Sequence, residues 1–235
     1  MNNYENYSNT GRLYARSASG LMSRVFGWQT AGLLISMAVA FFVAGTPALI
    51  MALLKNKILF YGLIFAQFGV VLALGGLAHK MSYGTMVSVF LAYAALTGVT
   101  LSTIFIIYTM SSIAMCFGIA AGMFGIMAMY GYITKADLTG FGTIMFMGLI
   151  GVVIASLVNI FMRSETMSYV LSYLSIIIFT GLTAYDVQKI KHFAAIAEDE
   201  ESLRKVSVLG ALTLYLDFLN IFLNLLYLLG GRRRD

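Results

Sequence analysis

Apolar runs separated by short polar connections set the pattern of this chain. Seven of the runs come close to the roughly 20 residues that carry a helix across a bilayer core. They cover residues 28–45, 58–77, 85–107, 113–133, 139–162, 167–190 and 206–229. None alternates with the period of two that membrane-barrel strands require. The pattern predicts an all-α polytopic membrane protein of seven transmembrane helices. Around it lie a polar N-terminal tail over residues 1–24, a single seven-helix domain over 25–231 and a basic tail over 232–235. The N-terminal stretch has no apolar core of the signal-peptide kind, so the first run is expected to be a retained span. That stretch reads as a disordered tail followed by an interfacial segment near Arg24 and Trp28.

Two runs break their own pattern with a carboxylate. In "LYLDFLNIFLNLL", Asp217 shares one narrow helical face with Gly210, Thr213, Asn220 and Asn224. In the sixth run, Asp186 shares a face with Ser172, Ser175 and Thr183. A polar stripe on an apolar span belongs against other helices or water, not lipid. The polar stretch "EDEESLRK", residues 198–205, lies midway between the two aspartates. An antiparallel hairpin turning there brings both to similar depth, with Lys189, Lys191 and His192 between Asp186 and the membrane surface. Two carboxyl groups close together in a poorly polarisable medium share a proton and titrate as a pair. Such a pair suits a proton sensor, a proton relay or a cation site. The plainer reading is that each aspartate completes a local hydrogen-bond network. The cost of an acid inside a membrane favours function.

Composition narrows the class. With 60% hydrophobic and 11% charged residues in 235, the chain could not supply the polar shell of a soluble domain. A single cysteine, Cys116, excludes an internal disulfide, and the single proline, Pro47, falls between runs. The 15 methionines are scattered without paired Cys or His, so they read as packing rather than a soft-metal site. The net charge of +5 fits basic residues flanking spans, with Arg232, Arg233 and Arg234 as a lipid anchor rather than a nucleic-acid patch. Counting Lys and Arg in the connections favours a cytoplasmic N-terminus by nine to six. Seven spans then place the arginine triplet outside, and only a re-entrant last segment would return it. Gly118, Gly122, Gly125, Gly151 and Ala155 are the expected points of close helix approach.

"GLTAYDVQKIK" and "LGALTLYLDFLNIFLNLL" resemble the paired signatures of the transmembrane Bax-inhibitor family. "LTGVTLSTIFIIYT" and "AGMFGIMAMYGYITKADLTGFG" resemble its third-span and fourth-to-fifth-span segments, so the resemblance covers nearly the whole chain. It implies seven helices with the seventh central and wrapped by the other six. It also implies a pH-regulated calcium leak in the bacterial inner membrane, with Asp186 and Asp217 as its sensor and gate. Calcium favours oxygen ligands, so the aspartates would hold it in transit, with Thr183, Thr213, Asn220 and Asn224 as the polar stripe of the pore. Calcium ions and protons are then cargo, membrane lipids the surroundings, and no cofactor takes part. Some family members latch an arginine of the second span onto the sixth-span aspartate. Here "GGLAHKMS" has no arginine, leaving His79 or Lys80 as substitutes.

Two other classes compete. One is a non-transporting regulator that binds another membrane protein or membrane protease in stress protection. The other is an intramembrane aspartyl protease, which also pairs a Tyr-Asp with a second aspartate. Its second aspartate follows Gly-x-Gly, whereas Asp217 follows "LYL", and its Pro-Ala-Leu segment is matched only at Pro47, after the first span. No enzyme is expected. The run from Glu198 to Glu201 lacks calcium-loop spacing and reads as an ion-attracting vestibule or a plain loop.

Overall fold

The computed structural model describes residues 2–196 and 199–233, with side chains over 19–194 and 199–233. It is all-α. The helices are α1 (Asn2–Ala44), α2 (Pro47–Lys55), α3 (Lys57–Leu77), α4 (Tyr83–Leu101), α5 (Ile104–Ile107), α6 (Met110–Ile133), α7 (Thr139–Met162), α8 (Glu165–Ile196) and α9 (Glu200–Leu229). Among the described residues, seven segments are long and apolar enough to cross a membrane, carried by α1, α3, α4 with α5, α6, α7, α8 and α9. The protein is therefore a seven-span, all-α polytopic membrane protein.

Three of the differences from the hydropathy reading have a local cause. First, α1 begins at Asn2, so the polar stretch read as disordered is helical. No proline interrupts it, and extending a nucleated helix adds one hydrogen bond for each residue fixed. Second, the connection at Pro47 is itself the helix α2, with Pro47 at its first position, where the missing N–H is no loss. Third, the third span breaks after Leu101. There the hydroxyls of Ser102 and Thr103 donate to the carbonyls of Val99 and Thr100, competing with the helical ladder.

The chain falls into two compact units. The first holds Met1–Thr103 with Lys189–Leu212, the second Ile104–Gln188 with Thr213–Asp235. In the first, α1 packs on α4 so closely that a Cβ at Gly98 would lie 2.6 Å from the Ser36 carbonyl oxygen. The Ser36 hydroxyl donates to Ala94 O at 2.7 Å across that contact. Gln67 of α3 reaches Leu96 O and Thr100 Oγ1 of α4 at 3.4 and 3.3 Å. At its polar end, Arg24 pairs with Glu200 at 2.6 Å and Lys205 with Glu201 at 2.9 Å.

In the second unit, α6 and α8 meet backbone to backbone at Gly131, where a Cβ would collide with the Ala184 carbonyl. α7 makes room at Gly142 for the Tyr185 ring. Edge-to-face contacts join Phe117 and Phe124 of α6 to Phe218 and Phe222 of α9, with centroids 5.1–5.8 Å apart. The expected approach points are elsewhere: a Cβ at Gly118, Gly122, Gly125 or Gly151 would meet nothing within 4 Å. Those glycines do not seat a neighbouring helix.

After α9, residues 230–233 turn back over the start of α6. Thr109 N donates to Gly231 O at 3.1 Å, Arg233 N to Ile107 O at 2.9 Å, and Gly231 N to Ser112 Oγ at 2.9 Å. α9 is one unbroken helix to Leu229, so Arg232 and Arg233 lie at the same end as the α5–α6 connection, and no re-entrant segment returns them. Arg234 lies outside the described residues.

Candidate functional site

Asp186 and Asp217 belong to the same unit, on α8 and α9. Asp217 is buried, with 4% of its surface exposed, while Asp186 is half-buried. The two carboxyl groups lie close enough to interact with one another. A carboxylate is acceptor-only, so a bond between two carboxyls requires a proton on one of them. Asp217 Oδ2 is buried and without a hydrogen-bond partner, a state shared among the described residues only by Thr180 Oγ1.

The neighbours of Asp186 hold it in place. Ala184 lies against Gly131, Tyr185 fills the notch at Gly142, and Val187 is fully buried. One turn on from Ala184, the Gln188 side chain accepts from Leu138 N at 2.9 Å and donates to Ala136 O at 2.8 Å, tying α8 to the α6–α7 connection. On α9, Phe218 next to Asp217 sits in the aromatic cluster with Phe117 and Phe124. A dry wall thus stands beside the acid, where charge is costly.

The stripe residues divide by what their side chains already do. The Thr183 hydroxyl is fully buried and donates to Phe179 O of its own helix at 2.8 Å. Asn220 Nδ2 donates to Leu216 O at 2.9 Å and Asn224 Nδ2 to Asn220 O at 2.8 Å. Each amide gives one of its two N–H groups to the helix and keeps its carbonyl oxygen as an acceptor. Thr213 is half-buried on the same helix. His79 and Lys80 lie exposed in the short 3₁₀ turn after α3, without a hydrogen bond or ion pair among the described residues.

Of the acidic connector, Glu198 lies outside the described residues. Glu200 and Glu201 are engaged by Arg24, Arg204 and Lys205, and Asp199 caps α9 by accepting from Ser202 N at 2.6 Å. Those hydrogen bonds hold the Asp199 carboxyl below its ordinary range. No group of three or more His, Cys, Asp or Glu suited to a metal ion occurs among the described residues. Sequence reasoning did not find Gly131, Gly142 and Gln188, which fix the stretch of α8 around Asp186. Gln188 carried a signal, a polar residue two positions after Asp186. The two glycines looked like any others in a chain with 23.

A family model described as "Inhibitor of apoptosis-promoting Bax1" matches residues 18–234. The chain is 50% identical over 214 residues to the inner membrane protein YbhL of Escherichia coli (strain K12), covering 90% of this chain and 92% of that protein. An uncharacterized protein of Borreliella burgdorferi is 46% identical over 215 residues, 91% of this chain and 93% of its own. An uncharacterized membrane protein of Streptococcus pyogenes serotype M3 is 40% identical over 182 residues, 77% and 79% of the two chains.

Proposed function

The chain belongs to the Bax-inhibitor family of membrane proteins, and from that premise we propose that it is a pH-regulated calcium leak gated by the proton that Asp186 and Asp217 share. The observation that carries the reading is the pair of interacting carboxyl groups, one buried and one half-buried, on two membrane-spanning helices. With the proton in place the pair is a singly charged clasp between α8 and α9. Without it, two negative charges face each other in a medium that screens them poorly. They then separate or draw in a cation, and either event opens a path along the polar stripes of the two helices. Calcium suits such a path because it accepts carboxylate and amide oxygens in flexible numbers. No cofactor takes part. The E. coli relative is by name an inner membrane protein; we extend that location to this chain, with the N-terminus on the cytoplasmic side.

Purified protein in sealed vesicles, with a calcium-sensitive dye inside and external pH varied from about 5 to 8 around the titration range of such pairs, tests the reading. Wild-type flux is expected to change with pH. Asp186→Asn and Asp217→Asn should each flatten or shift that profile, because each removes one titrating partner and keeps the volume. Asn220→Ala should change the size of the flux more than its pH profile. A wild-type profile in both aspartate variants would falsify the sensor. Absence of calcium flux in the wild type at every pH would leave the non-transporting regulator as the better account.

A further inference from the structure

A groove of about 550 Å³ opens between α7, α8 and α9 at the end where Arg163 ends α7. Ten of its twelve lining residues are polar or charged, Ile160 and Leu171 being the exceptions. At ~30 Å³ each it has room for roughly 18 waters. It runs down α8 from Glu165 to Ser175, about 15 Å at the helical rise.

Two serines deep in the groove set it apart. Ser172 and Ser175 are 7% and 6% exposed, and neither hydroxyl has a hydrogen-bond partner among the described residues. Five other buried serines and threonines, Ser36, Thr97, Ser102, Thr183 and Ser207, donate to a backbone carbonyl, while Thr180 Oγ1 is sealed in without a partner. A buried hydroxyl left unpaired is costly, and neither oxygen is sealed off as Asp217 Oδ2 is. Both are reached through the groove they line, so the missing partner must come from it.

The remaining chemistry points to a cation. Asn159 Nδ2 spends both its N–H groups on Ser164 O and Ser168 Oγ, and Asn224 Nδ2 gives one of its two to Asn220 O. The two amides together thus keep one N–H, against an amide carbonyl and a carboxylate that can only accept. Asn224 keeps its carbonyl oxygen available, the Glu165 carboxylate stands at the mouth, and the serine oxygens can accept as well as donate. Beyond Asn224 the same helix carries Asn220, one N–H of which is bound to Leu216 O, and then Asp217. The rise of α9 spaces these three by about 6 and 4.5 Å.

We infer that this groove is a water-filled entry vestibule for a hydrated cation, floored by Ser172, Ser175 and the Asn224 carbonyl, and leading by Asn220 to Asp217. The inference rests on the leak reading for its role and on the groove's own chemistry for its contents. Arg163 at the mouth is its one cationic lining residue and lowers local cation concentration. Arg163→Gln should raise calcium flux about two- to threefold at low salt and lose that effect at high salt.

The test uses single cysteines in a Cys116→Ala background, which removes the only native thiol. Ser172→Cys and Ser175→Cys should react with a water-soluble, cationic thiosulfonate added on the Arg163 side. They should react at least tenfold faster than with its anionic analogue, and flux should fall after reaction. Ile177→Cys, 62% exposed on the same helix and outside the groove, should react only with a lipid-soluble reagent. Silence of both serine sites toward water-soluble reagents, or a preference for the anionic one, would overturn the inference. So would labelling without any change in an active leak. Labelling with the expected charge preference in a protein that passes no calcium would sink the leak reading and leave the cation groove standing.

Discussion

α7 and α9 invert the rule for soluble proteins. α7 has the most apolar window of the seven spans, and none of that window is buried; α9 carries an aspartate and two asparagines, and 67% of its window is buried. In water the apolar helix would be the core. In a bilayer lipid solvates apolar side chains as well as protein does, so hydrophobicity no longer selects the inside. Polar groups do, because they cannot be left in hydrocarbon. The lesson is practical: in this chain, a residue's hydropathy says which helices face lipid, and its polar exceptions say where the chemistry is.

The sharpest way to break the contrast is steric. Gly131→Leu on α6 drives a side chain into the Ala184 carbonyl behind Asp186. It should cost about 3 kcal/mol or more and prevent recovery of folded protein in detergent. Gly151→Leu on α7, where nothing lies within 4 Å, should leave yield and melting temperature unchanged. Equal effects would mean that α7 is packed as tightly as α6.

Aromatic truncation comes next. Phe218→Ala on α9, 3% exposed, leaves a cavity in the aromatic cluster and should cost about 2 kcal/mol, the cavity part of the ~3–5 kcal/mol seen in aqueous cores. Phe161→Ala at the end of α7, 87% exposed, should stay within about 0.5 kcal/mol. Equilibrium unfolding in mixed micelles measures both.

A smaller effect of opposite sign tests the end of α7. Arg163 is the only non-glycine with positive φ among the described residues, at 53°. Arg163→Gly should relieve that conformation and raise the unfolding free energy by up to about 1 kcal/mol, read in the same micelle titration.

The smallest effect concerns the start of α9. Because Ser202 holds the Asp199 carboxyl below its ordinary range, the ionised cap favours the folded state above the unfolded pKa near 3.9. That contribution fades as pH falls through the lower folded value. Asp199→Ala should speed amide exchange at Ser202 and Leu203 near neutral pH, and the difference from wild type should vanish in strong acid. A difference that persists there would remove the cap's electrostatic role.

Much of this architecture was legible because a bilayer writes it in long runs. The fifth span, read as 139–162, is α7 itself. α8 and α9 run past the expected limits, to Ile196 and from Glu200, because hydropathy detects the membrane crossing and not the helical turns that continue into water. α2 was missed because a proline that separates apolar runs can equally start a helix. The stripes of Asp186 and Asp217 stood out because polar residues are scarce on their spans. The glycine reading failed because sequence gives the residue but not which face of the helix meets a neighbour: Gly131 does, while Gly125, on the same helix, does not. The groove was half visible. Ser172 and Ser175 were on the α8 stripe, but the matching stripe of Ser156, Asn159 and Arg163 on the α7 wall was not read.

The pairing of residues 230–233 with the start of α6 has a consequence for how the protein is made. Ser112 waits for a partner 119 positions later. While the ribosome is delivering α6, α7 and α8 to the membrane, the turn at Tyr108–Thr109 has no Gly231 to bind. That turn can close only after α9 has been threaded across. Any event that stops synthesis before Gly231 therefore leaves the start of α6 without the bonds that fasten it in the finished protein.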